Sequence, residues 1–242
     1  MDTIKINRKN TKIIAHRGLS GIERENTNPA FVAAGNRSYF GIETDVHVTA
    51  DGRFVIIHDE TTDRVSMGNV NVDVEKSNYS DLTDIVLPDL DGSLNRQDIR
   101  IPLLEDYIKI CQKYEKISVL ELKNDFVDDD IRRMVAHIDE LGYLDKVIFI
   151  SFSLDNCIKL RKILHTNDIQ WLISREVTSE VIDTLKAHKL NLDIHYSHLS
   201  KEVIDKLHSI GILVNCWTCD IKEDAEKLVD MGVDFITSNI VE

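Results

Sequence analysis

FGIETDVHVTADGRFVIIH, Phe40 to His58, holds two alternating apolar runs joined by five residues. Period-two alternation and β-branched content make strands of FGIETDVHV (Phe40 to Val48) and FVIIH (Phe54 to His58). The connection TADGR is too short for the crossover helix that parallel strands require, and its Asp51-Gly52 pair is a hairpin signal. FVIIH is therefore expected to fold back antiparallel on the first run, which sets His58 about opposite Asp45.

Outward from this hairpin, seven more short apolar runs read as strands: KIIAH (Lys12 to His16), ISVLELK (Ile117 to Lys123), KVIFIS (Lys146 to Ser151), IQWLIS (Ile169 to Ser174), LNLDIH (Leu190 to His195), ILVNCW (Ile212 to Trp217) and DFITS (Asp234 to Ser238). Between them lie stretches with helical spacing, among them NPAFVAAGN, LLEDYIKICQKY, DDDIRRMVAHIDELG and SEVIDTLKAHK. With FVIIH set aside as the hairpin partner, eight strands alternate with helices, and the expected fold class is an α/β (β/α)8 TIM barrel. A doubly wound sheet is the alternative, but no G-x-G-x-x-G follows any strand. Residues 1–242 are expected to form one barrel domain. Asp59 to Arg100, rich in Asp, Asn and Ser, is read as an insertion after the second barrel strand, a loop or small cap within that domain.

Composition narrows the function. The 242 residues carry 29 Lys and Arg against 42 Asp and Glu, a net charge of -13 that disfavours nonspecific binding to nucleic acid or an anionic membrane. No apolar run is long enough to span a bilayer and the first residues are polar, so a cytoplasmic protein without a membrane anchor is expected. Four scattered cysteines do not make a disulfide framework. Cys216 and Cys219 form a C-x-x-C with no second pair at metal spacing, and on a strand their odd offset would send them to opposite faces.

Barrel active sites lie at the carboxyl ends of the strands, and here those ends carry an unusual set. His16 and Arg17 end the first strand, Glu43 and Asp45 share a face of the second, His58 and Asp59 end its hairpin partner, and Glu121 and Lys123 share a face of the next. Three carboxylates aimed at one point repel unless a proton or cation is shared, and hard oxygen donors suit Mg2+ or Ca2+. A salt-bridge network with Arg17 and Lys123 is the structural alternative. Two histidines beside such a cluster can serve as acid and base near neutral pH. Together these groups describe a site for a phosphate ester. His47 shares the alternation of Glu43 and Asp45 and reads as a hydrogen-bonded histidine lining the barrel; Phe152 and Trp217 follow strand ends, where a pocket wall is possible besides a core role.

HRG (His16 to Gly18), ENT (Glu25 to Thr27), ETDVHVTADG (Glu43 to Gly52), IIHDETTDR (Ile56 to Arg64), LELK (Leu120 to Lys123) and CWT (Cys216 to Thr218) resemble the glycerophosphodiester phosphodiesterase family in order and spacing. The resemblance implies a barrel of the phospholipase-C-like phosphodiesterase type. It implies that His16 and His58 are the acid and base, that Glu43, Asp45 and Glu121 hold a divalent metal, Mg2+ or Ca2+, and that Arg17 and Lys123 contact the phosphate. Glu25 matches the family's acidic residue before N-T, and Trp217 its tryptophan on a late strand, which shapes the substrate pocket. The implied reaction is hydrolysis of a small glycerophosphodiester to glycerol 3-phosphate and an alcohol, through attack by the neighbouring glycerol hydroxyl and a cyclic phosphate. Arg24 stands where the family has a proline, and ITSN (Ile236 to Asn239) where it usually has an I-T-D-like end; neither is expected to touch the catalytic set. Two other readings stay open: a phospholipase-D-like or lysophospholipid-specific enzyme of the same fold, which needs an apolar entrance, and a catalytically silent barrel that binds metal or phosphate.

Overall fold

The computed structural model describes residues 2–242. Nine strands and seven α-helices follow one another among these residues: β1 (Lys12–Ala15), α1 (Asn28–Gly35), β2 (Gly41–Val48), β3 (Phe54–Ile56), α2 (Leu104–Lys113), β4 (Ile117–Leu122), α3 (Asp128–Glu140), β5 (Val147–Ser151), α4 (Leu154–Ile163), β6 (Ile169–Ile173), α5 (Ser179–His188), β7 (Asn191–His195), α6 (Lys201–His208), β8 (Val214–Trp217), α7 (Lys222–Met231) and β9 (Phe235–Ser238). Eight of the strands run parallel in the order β1-β2-β4-β5-β6-β7-β8-β9. Pairing of β1 with both β9 and β2 closes the sheet, so the barrel expected from the sequence is present.

Closure puts the eight barrel strands between a ring of helices and a filled interior, which explains the near-continuous apolar runs. Alternation sorts their residues. Ile13, Ala15, Leu120, Leu122 and Phe149 join the large core under the helices, whereas Ile14, Val119, Ile148, Ile150, Leu172 and Phe235 form a second cluster inside the barrel. The helices bury one stripe each: α2 packs through Leu104, Tyr107, Ile108 and Cys111, and α3 through Ile131, Met134, Val135 and Ile138. No helix among the described residues is long and apolar enough to cross a membrane.

β3 pairs antiparallel with β2 as expected, but its register differs by one residue from the sequence reading. Val48 faces Phe54 and Val46 faces Ile56, so it is Ile57 whose amide reaches the Asp45 carbonyl (3.1 Å). Thr49 sets this register: its amide bonds to the Arg53 carbonyl (2.9 Å), and its hydroxyl bonds to Asp51 Oδ1 (2.6 Å) and accepts from the Arg53 amide (2.9 Å). With β3 ended at Ile56, His58 falls outside the ladder.

Residues 59–100 contain few regular elements but bury apolar groups. Val65, Val74, Leu82, Leu87 and Ile99 cluster with Val55 and Ile57, and short bridges join Thr61 to Asp73 and Val86 to Arg100. Cys219 lies beyond the end of β8, so the opposite-face expectation for Cys216 and Cys219 does not hold; both are buried in the core under the helices.

Candidate active site

β2 and β4 place the acidic groups. Their register sets Asp45 beside Glu121, and the side-chain period of two puts Glu43 one step down the same inner face. One carboxylate oxygen from each of Glu43, Asp45 and Glu121 lies within 4.8 Å of the others, and all three residues are buried.

The turn after β1 brings the first cation and the first histidine. Arg17 sits at φ +53°, a conformation unusual for a residue with a side chain, and its amide donates to Glu43 Oε2 at 2.8 Å. Gly18 follows at φ +74°, and a Cβ there would stand 2.7 Å from Ala30 Cβ; glycine is what lets this turn press against α1. The ENT stretch then braces the turn. Glu25 accepts from Arg17 Nη1 (2.8 Å), Asn26 Nδ2 donates to Asp45 Oδ2 (2.7 Å), and Thr27 caps α1 through the Ala30 amide.

His16 and His58 both face the cavity at the barrel mouth, together with Arg17, Glu43 and Glu121. Each ring is held through Nδ1, but by different partners: His16 by the Asn239 amide oxygen (2.7 Å), His58 by Asp59 Oδ1 (2.6 Å). Burial, then the Arg17 charge, push His16 down to about 4. Burial also lowers His58, with Arg17 and Lys123 acting the same way against the pull of Asp45 and Asp59. Both rings are therefore neutral at pH 7 in the metal-free site, and each has Nε2 available.

The carboxylates are short of positive charge. Burial, reinforced by Asp45 and Glu121, holds Glu43 well above the usual carboxyl range, and burial with Asp45 raises Glu121 to about 7. Burial alone would raise Asp45 too, but Lys123 and Arg17 outweigh it and keep that group ionised. Lys123 Nζ lies 2.7 Å from Glu121 Oε1 and 3.3 Å from Asp45 Oδ1, so the salt-bridge network weighed from the sequence is present. It does not satisfy the cluster: Asp45 Oδ1 is buried without a hydrogen-bond partner among the described residues.

Glu25 and Trp217 occupy different places. Glu25 sits behind Arg17, also bound by both terminal nitrogens of Arg64 (2.8 and 2.9 Å); burial would raise it, yet these arginines bring it down to about 2. Arg64 also grips Asp59 at 2.6 Å, so a residue of the 59–100 segment connects the supports of Arg17 and His58. Trp217 walls the mouth edge-on to Phe152 (5.5 Å) and His195 (5.3 Å between centroids). His47 is buried and held by Glu75 Oε1 (3.0 Å), as a barrel-lining histidine.

Of the two departures from the family pattern, one behaves differently from expectation. Asn239 touches one of the candidate catalytic residues, His16, because β9 neighbours β1 in the closed barrel. Arg24 is buried and donates to the Val65 carbonyl (2.6 Å), tying the ENT loop to the 59–100 segment. Sequence reasoning named Asp59 among the strand-end groups without giving it a role, and passed over Asn26, adjacent to a residue it did single out, and Asp193. Asp193 is buried in the barrel interior facing the cavity, with Oδ2 accepting from Asn215 (3.2 Å) and Oδ1 without a hydrogen-bond partner among the described residues.

Comparison with known proteins agrees with this geometry. The model of the glycerophosphoryl diester phosphodiesterase family matches residues 16–242. The chain is 30% identical to YqiK, an uncharacterized protein of Bacillus subtilis, over 93% of each chain. It is 28% identical to a glycerophosphodiester phosphodiesterase of Caldanaerobacter subterraneus subsp. tengcongensis, covering 95% of this chain and 94% of the relative. A phosphodiesterase of Oleispira antarctica, solved with its product sn-glycerol 3-phosphate, superposes with a TM-score of 0.80 at 23% identity, covering 94% of this chain and 92% of that one. A glycerophosphodiester phosphodiesterase of Parabacteroides distasonis superposes with a TM-score of 0.77 at 28% identity, covering 95% and 93%. With HRG, E-T-D, H-D and E-x-K converging on one barrel mouth and the family model spanning nearly the whole chain, this protein belongs to the glycerophosphoryl diester phosphodiesterase family, a family of hydrolytic enzymes.

Proposed function

We propose that this enzyme hydrolyses small glycerophosphodiesters to glycerol 3-phosphate and an alcohol, with His16 and His58 exchanging protons and a divalent ion, Mg2+ or Ca2+, held by Glu43, Asp45 and Glu121. The observation that carries the reading is a cluster of three buried carboxylates, two of which, Glu43 and Glu121, line one cavity with His16 and His58. A binding barrel needs no such histidine pair. The donor set fits a hard cation: all oxygens, closely spaced, with Asp45 Oδ1, which accepts no hydrogen bond among the described residues, among them. Such an ion, when bound, neutralises charge on phosphate and on glycerol hydroxyl oxygens.

The partners of the two rings divide the labour. Held by a neutral amide, His16 offers Nε2 as the proton acceptor for the glycerol hydroxyl next to the phosphate. That oxygen bonds to phosphorus while the bond from phosphorus to the departing alcohol breaks. In the fraction of molecules in which it carries a second proton, on Nε2, a form the Asp59 carboxylate stabilises, His58 supplies the proton the leaving oxygen takes. Water then opens the cyclic phosphate with the two roles exchanged. Arg17, whose Nε makes no hydrogen bond among the described residues, and Lys123 are the cations assigned to the phosphate. Glu25 serves by fixing Arg17, and Trp217 by walling the pocket.

Residues 59–100 act in this reading as a small cap within one catalytic domain spanning 1–242. Net charge and unpaired thiols support a cytoplasmic enzyme of small-molecule substrates, not one of nucleic acid. The product identity tests the proposal. Glycerophosphocholine should give glycerol 3-phosphate and choline; glycerol and phosphocholine would refute it. The exposed Phe152 ring beside Trp217 is the observation that favours longer-chain substrates, and exclusive turnover of lysophosphatidylcholine would replace this reading by the lysophospholipid-specific one.

A further inference from the structure

Asp220, in the loop after β8, lies behind the catalytic histidine and has no role in the reaction outlined above. Its Oδ1 accepts from the Asn239 amide (2.7 Å) and the Ser238 hydroxyl (2.8 Å), which leaves Oδ2 for the Asn239 side-chain nitrogen at 2.6 Å. The other end of that side chain, Oδ1, meets His16 Nδ1 at 2.7 Å and the Ser20 hydroxyl at 2.6 Å.

We infer that Asp220 is a positioning residue that acts through Asn239 to dictate which nitrogen of His16 carries the proton. The inference rests on the reading that His16 exchanges protons with substrate. An asparagine facing a histidine is ambiguous. Its oxygen can accept from a protonated Nδ1, or its nitrogen can donate to a bare Nδ1, and the two choices leave opposite tautomers. A carboxylate removes the ambiguity because it only accepts. Asn239 must turn its nitrogen toward Asp220, its oxygen toward His16, and Nδ1 must then hold the hydrogen. Nε2 is left as the bare nitrogen, 4.0 Å from Glu43 Oε2 at the cavity. A neutral amide thus orients the ring as a carboxylate would, without placing a charge against it.

Asp220→Asn is the decisive change, because it keeps Oδ1 for the Asn239 and Ser238 donors and converts only Oδ2 into a donor. Asn239 should then flip, present its nitrogen to His16 and move the hydrogen to Nε2. Adding Asn239→Asp should undo this, since a carboxylate in place of that amide would accept from both neighbours. We expect 15N NMR of the metal-free protein to show the Nδ1-H tautomer at His16 in the wild type and the double variant, and Nε2-H in the single variant. Turnover of glycerophosphocholine should fall about tenfold or more in kcat with KM little changed in the single variant, and return to within about threefold in the double. An Nε2-H wild type, an Asp220→Asn protein with wild-type tautomer and kcat, or a double variant no better than the single would overturn the inference. The wild-type tautomer is read without any folding risk. If wild-type protein turns over no glycerophosphodiester, the functional reading fails by itself, and the tautomers still decide the positioning role.

Discussion

Asp45 and Glu121 are register partners on β2 and β4, so two carboxylates stand side by side with Glu43 directly below them. In the metal-free protein burial and this crowding keep Glu121 protonated up to about pH 7 and Glu43 beyond the usual carboxyl range. A cation bound there must displace those protons. Calorimetry should therefore show that Mg2+ or Ca2+ binding releases protons at pH 7, with affinity rising between pH 6 and pH 8. Affinity independent of pH across that interval would mean that the ion sits elsewhere.

The two histidines face one cavity from the ends of β1 and the hairpin. His16→Ala and His58→Ala should each lower kcat about a hundredfold or more, the scale for loss of a positioned proton-transfer group. Near-wild-type turnover in either variant, with an unchanged melting temperature, would return that ring to a structural role.

Asp193 offers a stability test at a residue that is not a proposed ligand. Burial first, then the charges of Glu121 and Asp168, hold its carboxyl well above the ordinary value. Above the pH at which the unfolded chain ionises this group, the folded chain still binds the proton, so stability falls as pH rises. Asp193→Asn removes that dependence. Its melting temperature should match the wild type near pH 4 and exceed it by about 2–4 °C at pH 8. A variant less stable than wild type at pH 8 would show that Asp193 is ionised and paired in the native protein.

Much of this arrangement is legible in the sequence, for reasons that also mark where reading stops. The strands are short, β-branched and separated by well-spaced helical stripes, so periodicity alone gives the barrel, and TADGR identifies the ninth strand as a hairpin partner. Glu43 and Asp45, or Glu121 and Lys123, share a face because the side-chain period of a strand is two. The hairpin register slipped by one because Thr49 closes the turn with side-chain bonds that spacing does not reveal. The contact of Asn239 with His16 escaped notice for a topological reason. Asn239 lies 223 residues from His16, and only closure of β9 onto β1 brings them together. Asp193 reads as one polar residue in an apolar strand until the barrel interior is assembled.

In the proposed reaction, attack by the glycerol hydroxyl next to the phosphate gains its advantage from orientation within one bound molecule. A glycerophosphocholine analogue with that hydroxyl replaced by hydrogen should compete with substrate for the site but turn over very slowly. Equal turnover would show that water attacks phosphorus directly.

The central claim is that Glu43, Asp45 and Glu121 hold an ion that the hydrolysis requires. The most direct measurement is the rate of glycerol 3-phosphate release from glycerophosphocholine before chelation, after exhaustive chelation and after Mg2+ or Ca2+ is returned. Activity should disappear on chelation and recover with the ion, and the melting temperature should fall and recover in parallel. Full activity in the exhaustively chelated protein would contradict the account.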